Sequence, residues 1–289
     1  MSIVPLNEIL CNAKSGGYAV GAFDSWDLES ILAIVEAAEE VGSPVVVLTS
    51  PEEARHAGME CWFRIAELTA AKASVPVAIM FNETNDFGEV IQAVRCGFGA
   101  VMVEQRGMSF AEYESLVKRV VEVCKPVGVA VEAQLGEIPS DREDRDLQGR
   151  ASAESHRKGL TDPGKAVEFV ESTGIDMLAV SVGNIHEMHA GAYELDTELL
   201  CKIHGAVGIP IVLHGGTGLS TDATSAAVKA GAYKINVGTV LRRRYNEALS
   251  RFHDNGQAGY VEPTLARLRG ARDSVKEAVK GMIALYSAG

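Results

Sequence analysis

No apolar run in this 289-residue chain reaches the roughly 18 residues a membrane-spanning helix needs. The opening, Met1-Ser2-Ile3-Val4-Pro5, has neither a basic region nor an apolar stretch, so no secretory signal is expected there. Positive charge is scarce: 27 Lys and Arg stand against 39 Asp and Glu, a formal net charge of −12. An acidic surface disfavours nucleic acid and anionic membranes as partners. Cysteine is sparse, with Cys11, Cys61, Cys96, Cys124 and Cys201 scattered and no C-x-x-C. Reduced thiols and a cytoplasmic location are the expectation. Tandem repeats and low-complexity tracts are also missing, and residues 1–289 are expected to form a single domain.

What is present is a regular alternation. Apolar, strand-like runs fall at Tyr18–Phe23, Pro44–Thr49, Val75–Phe81, Ala100–Val103, Val127–Glu132, Met177–Val182, Ile209–His214 and Ala232–Val237. Amphipathic stretches separate most of them, among them Leu28–Val41, Phe110–Cys124, Pro163–Thr173 and Asp222–Ala230. Continuously apolar strands between helices imply a parallel sheet covered on both faces. Eight such units imply an α/β fold closed into a (β/α)8 TIM barrel, with an open doubly wound sheet as the alternative. Helices over Tyr245–Phe252 and Thr264–Tyr286 then extend the barrel at its C-terminal end. The polar stretch from Gly136 to Gly159 lacks either period and reads as a long loop over the catalytic face.

Barrel enzymes keep their chemistry at the C-terminal ends of the strands. The polar residues expected there include Asp24, Ser50, Asn82, Glu83, Glu104, Glu132, Gln134, His186, His214 and Asn236. Two imidazoles with a carboxylate suit a divalent metal, Zn²⁺ or alternatively Mn²⁺ or Fe²⁺. His186 and His214 are the candidate imidazoles, with several carboxylates at the same mouth. His186-Glu187-Met188-His189 does not have the i, i+4 histidines of a helical metalloprotease site. His214-Gly215-Gly216-Thr217-Gly218 and Asn236-Val237-Gly238-Thr239 each follow a strand. Such turns present backbone N–H groups to an anion, and the loops after the last two barrel strands are the usual phosphate seat.

These segments resemble the class II fructose/tagatose-bisphosphate aldolases. The resemblance runs nearly end to end, through Gly21-Ala22-Phe23-Asp24, Val101-Met102-Val103-Glu104, Val131-Glu132-Ala133-Gln134-Leu135-Gly136, Thr161-Asp162-Pro163, Gly174-Ile175-Asp176, the His214 loop and Lys234-Ile235-Asn236-Val237. It implies a lyase of carbohydrate metabolism that cleaves a phosphorylated ketose of the ketose-bisphosphate type through a metal-stabilised enediolate. It also implies a homodimer or homotetramer. By that resemblance Asp24, Ser50, Gly183, Gly215, Gly216, Thr217, Asn236, Gly238 and Thr239 hold substrate and its phosphate.

Departures gather at the chemistry. Where the family carries H-L-D-H-H this chain has Met80-Phe81-Asn82-Glu83-Thr84. The catalytic Asp becomes Asn82, an amide that takes no proton. By the resemblance His186 and His214 match two of the family's metal histidines; the third becomes Glu83, which can still ligate a metal beside them, and the second Glu of V-E-A-E becomes Gln134. Glu143 stands near the family's loop acid. Asn82, Glu83 and Glu143 are therefore the expected catalytic positions. The alternatives are an isomerase, epimerase or decarboxylase on a related keto-sugar phosphate, or a non-catalytic phosphosugar-binding homologue.

Overall fold

The computed structural model describes residues 2–139, 159–186, 194–251 and 264–287. Its centre is a closed parallel barrel in which β1 to β8 follow chain order. The strands are β1 (Val20–Asp24), β2 (Val45–Thr49), β3 (Val77–Thr84), β4 (Ala100–Val103), β5 (Ala130–Leu135), β6 (Met177–Val180), β7 (Ile211–Leu213) and β8 (Ala232–Val237). Pairing of β1 with β8, Ala22 opposite Asn236, closes the ring. The expected TIM barrel is thus the observed fold.

Around it lie α1 (Leu6–Gly16), α2 (Leu28–Val41), α3 (Pro51–Ala57), α4 (Met59–Ala70), α5 (Phe87–Cys96), α6 (Phe110–Cys124), α7 (Pro163–Thr173), α8 (Thr197–Val207), α9 (Thr221–Lys229), α10 (Thr239–Arg251) and α11 (Thr264–Ser287). Polar caps mark several starts: Asp27, Asp86, Ser109, Asp162, Asp196 and Ser220 each accept a backbone N–H of the first turn. α11 crosses α2, where Arg272, Lys276 and Lys280 pair with Glu29, Glu36 and Glu40.

The period of two in each strand divides the apolar residues into two cores. Val45, Val47, Ile79, Phe81, Val101, Val131 and Leu178 face the helices. Val20, Ala22, Val46, Leu48, Ala78, Met80, Ala100, Met102, Ala130, Met177, Ala179 and Val212 fill the barrel interior. Leu6, Ile9, Leu10 and Ala13 of α1 join that inner core. Several boundaries differ from the sequence reading. Lys125–Val127 is a 3-10 turn ending at Gly128, so β5 starts later than Val127. β3 runs on to Thr84 and carries Asn82 and Glu83 within it. α10 opens at Thr239, six residues before Tyr245, because the β8 loop passes directly into the helix.

Candidate active site

The inward column of each strand continues past the apolar core to the C-terminal mouth. Ala22 is followed by Asp24, Met80 by Asn82, Met102 by Glu104, Ala130 by Glu132 and Gln134, Val212 by His214, and Lys234 by Asn236. Asp24, Asn82, Glu104, Gln134, His214 and Asn236 line a cavity of ≈ 1820 Å³, with Glu83, His186, Gly215, Thr217, Gly238 and Thr239. The cavity therefore gathers most of the expected site residues.

Glu83 does not follow the strand's alternation. Its φ of 59° is the one positive value at a non-glycine among the described residues. The β3–β4 register shifts between Phe81 and Thr84, so the strand bulges there. An L residue in this conformation costs on the order of 1–3 kcal/mol unless its surroundings enforce it. The bulge delivers Glu83 Oε1 to within 3.2 Å of His214 Nδ1. His186 stacks on His214 with ring centroids 5.3 Å apart, and its backbone N–H donates to Pro139 O at 2.8 Å. One donor atom from each of Glu83, His186 and His214 lies within 4.8 Å of the others. Two nitrogens and a carboxylate oxygen at this spacing suit a divalent transition metal.

His214 is buried and held from several sides. Its Nε2 is 3.1 Å from Glu132 Oε1 and 3.1 Å from Asn236 Nδ2. Glu132 Oε2 in turn accepts from Lys234 Nζ at 2.8 Å. The buried amide of Asn184 donates to the His214 carbonyl at 3.2 Å. Burial would lower the His214 pKa, but its bonds to Glu132 and Glu83 prevail and raise it to about 9. Burial would raise Glu83, but the hydrogen bond from His214 and the nearby positive charges bring it down to about 2. At neutral pH Glu83 and His214 therefore form an ion pair.

Two other carboxyls behave oppositely. Burial, reinforced by Glu83, raises Glu104 to about 7 against the pull of Arg106. Burial also raises Asp24 to about 7, although Arg242 opposes it. Arg242 stands 2.6 Å from Glu53 Oε1 and 3.6 Å from Asp24 Oδ2, with its guanidinium over the Trp26 ring. Asn82 is buried, and its Oδ1 has no hydrogen-bond partner among the described residues. An orphaned buried acceptor at a polar mouth is what a ligand or its water would satisfy.

The glycine loops lie opposite Glu83. Gly215 has φ 78°, and a Cβ there would collide with the Ile185 carbonyl, so only glycine fits. Residues 216–218 form a 3-10 turn. Thr217 Oγ1 accepts the Val240 N–H at 3.2 Å and ties this turn to the start of α10. Gly238 packs directly on the Asp24 carboxylate. Ser50 lines the cavity, and its hydroxyl is bonded to Glu53. Gly183 and Gly216 do not line it; an added Cβ would meet the Glu194 carbonyl at the first, and the Ile235 side chain and Asn236 carbonyl at the second. Glu143, Glu187 and His189 lie outside the described residues, as does most of the expected Gly136–Gly159 loop. The sequence reading missed Lys234 as a site residue and gave Glu132 only as one of the polar residues at the mouth. The signal available was a charged residue on an inward strand position.

The chain can be compared with solved structures. It is similar to the YdjI aldolase from Escherichia coli K12, with 28% identity and a TM-score of 0.84 over 98% of this chain and 97% of that one. A candidate fructose-1,6-biphosphate aldolase from Coccidioides immitis has the same identity and TM-score, over 98% and 96%. The fructose-bisphosphate aldolase (Fba) from Campylobacter jejuni, at 21% identity, shares the fold, with a TM-score of 0.78 over 99% and 95%. The family model for class-II fructose-bisphosphate aldolase matches residues 4–289, and the chain belongs to that family.

Proposed function

We propose that this chain is a metal-dependent aldolase acting on a phosphorylated ketose. The observation that carries the reading is the convergence of Glu83, His186 and His214 beside the two glycine loops. A divalent ion there, Zn²⁺ by preference, would supply Lewis acidity toward a ketose carbonyl and its neighbouring hydroxyl. The chain's own groups do the rest. The Gly215–Gly218 turn and the N–H groups of Gly238 and Thr239 hold the phosphate. Asn236 offers its amide N–H₂, and Asn82 orients a substrate hydroxyl through its Oδ1, which is unpartnered among the described residues. Glu104 lines the same cavity with a pKa of about 7, a value that suits proton transfer near neutrality. It can move the proton that Asn82 cannot. We propose one domain over residues 1–289, assembled as a homodimer or homotetramer as the family resemblance implies.

The amide at position 82 favours a second reading, proton exchange at the carbon beside the carbonyl without bond cleavage. Metal analysis and turnover separate the two. The wild type is expected to hold about one divalent ion per chain, His214→Ala none, and the wild type to release a triose phosphate from ketose bisphosphates. Solvent-deuterium incorporation without triose release would favour the isomerase or epimerase reading. Absence of metal after reconstitution with Zn²⁺ or Mn²⁺ would overturn the proposal and leave a phosphosugar-binding role.

A further inference from the structure

The bulge that turns Glu83 into the cavity has to be held in place. Phe81 pairs with Val101 and Thr84 with Val103, so β3 takes three steps where β4 takes two. The extra residue resets the alternation of faces. Phe81 belongs to the helix-facing core, and Asn82 lines the cavity. Regular alternation would then send Glu83 toward the helices and Thr84 inward. Instead Glu83 lines the cavity, and Thr84 is buried without lining it. A one-residue slip exchanges the faces of all residues beyond it. Whatever fixes Thr84 on the helix side therefore also fixes where Glu83 points.

Thr84 is held from three directions. Its hydroxyl donates to Glu89 Oε2 on α5 at 2.7 Å and accepts the Asp86 N–H at 3.2 Å. Its carbonyl accepts the Glu104 N–H, just past β4, at 3.0 Å. Glu89 is itself anchored. Arg55 of α3 meets its other oxygen, Oε1, at 2.6 Å, and its backbone N–H goes to the capping side chain of Asp86. A hydrogen bond to an ionised carboxylate is roughly twice as strong as a neutral one. This one closes only when Thr84 faces α5. In the unbulged register the Thr84 hydroxyl would turn to the cavity and Glu89 would lose it. A positive φ at a non-glycine persists where its surroundings over-determine it. The Thr84–Glu89 bond is such a surrounding for the φ of 59° at Glu83.

We infer that Thr84 and Glu89 are positioning residues: their hydrogen bond selects the bulged form of β3 and so holds the Glu83 carboxylate beside His186 and His214. The inference rests on the metal reading for its consequence but not for its content, because the direction of Glu83 exists without metal. In metal sites generally, the partners behind a ligand are worth roughly 10–100-fold in metal affinity.

The test compares Thr84→Val, which keeps the shape and drops the hydroxyl, with Thr84→Ser and Glu89→Gln, which keep a donor and an acceptor for the bond. Crystal structures of the metal-free proteins read the direction of Glu83, Co²⁺ titration followed by absorbance reads affinity, and thermal melting checks folding. Thr84→Val is expected to straighten β3, withdraw Glu83 from the cavity and bind Co²⁺ roughly 10–100-fold more weakly. Thr84→Ser and Glu89→Gln are expected to keep the bulge and most of the affinity. Should Thr84→Val not fold, Glu89→Ala removes the acceptor from the helix side and is read in the same way. A folded Thr84→Val with Glu83 still at positive φ and unchanged Co²⁺ affinity overturns the inference. So does a Thr84→Ser as weak as Thr84→Val. A wild type that binds no Co²⁺, but whose Glu83 leaves the cavity in Thr84→Val, upholds the inference and overturns the metal reading instead.

Discussion

The two sides of the barrel mouth have diverged to different degrees. On the β7–β8 side, the His214 loop and the Lys234–Val237 segment match the family pattern, and the chain folds into a tight turn that only Gly215 permits. On the β3–β5 side, four positions depart from that pattern: Asn82, Glu83, Gln134, and Glu104 where the family carries Asp. The backbone is irregular there as well, through the bulge and the positive φ of Glu83. The first side relies on main-chain N–H groups, which tolerate many substrates carrying the same anion. The second relies on individual side chains, where one atom changes the reaction. Divergence confined to the second side would alter what is done to a substrate while leaving its phosphate handle untouched.

The most severe challenge to this division is to restore the family's carboxylate. Asn82→Asp places an acid–base group where the buried amide now stands. Positioned groups of this kind contribute roughly 10²–10⁴-fold to rate. Cleavage of ketose bisphosphates is expected to rise by about 10²-fold or more in kcat, with KM little changed because the phosphate side is unaltered. A drop in kcat would show that this chain's chemistry is organised around the amide, with the proton carried elsewhere.

A smaller, two-sided effect is expected from Glu83→Gly. Glycine adopts positive φ without the steric cost that Glu83 bears. Its greater freedom in the unfolded chain offsets part of that gain. The lost ion pair with His214 opposes the gain as well, and at neutral pH metal-free protein is expected to be less stable than wild type by about 1 kcal/mol or more. Metal affinity should fall at least tenfold with the lost ligand. Denaturant titrations with and without Zn²⁺ make both readings at once. A variant that gains stability in the metal-free state would mean that the backbone strain outweighs the Glu83–His214 ion pair.

The mouth also shows how far strand alternation carries a sequence reading. Asn82, Glu104, Glu132, His214 and Asn236 are legible because each extends an inward column by the period of two. Both glycine loops are legible from composition alone. Glu83 is legible only as a carboxylate near the site. Alternation sends it outward, and the bulge that turns it in depends on pairing with β4, which no local pattern reveals. Lys234 escaped for a related reason: lysine is rarely buried, and its two partners come from β5 and from two residues along its own strand. The α1 plug was also overlooked, although Leu6, Ile9, Leu10 and Ala13 repeat at helical spacing. Its contact with the inner core follows from closure of the barrel, not from the segment itself.

The gentlest probe of the altered side is the pH dependence of stability. Glu104 titrates at about 7 in the folded protein, against 4.5 for its ordinary value. A raised folded pKa means that the fold prefers the neutral carboxyl. Its contribution is fully present below about pH 4.5, declines as pH rises through 7, and is constant above. An amide stays neutral throughout. Glu104→Gln is therefore expected to gain in melting temperature relative to wild type as pH moves from about 4 to 8, with the gain levelling off beyond. Asp24 is raised in the same direction, but it is present in both proteins and cancels in the difference, provided its own titration is left alone by the substitution. An equal difference at both pH values would show that Arg106, 3.3 Å from Glu104 Oε1, keeps this carboxyl ionised. Glu104 would then be a charge facing the cavity and not a reservoir for the proton.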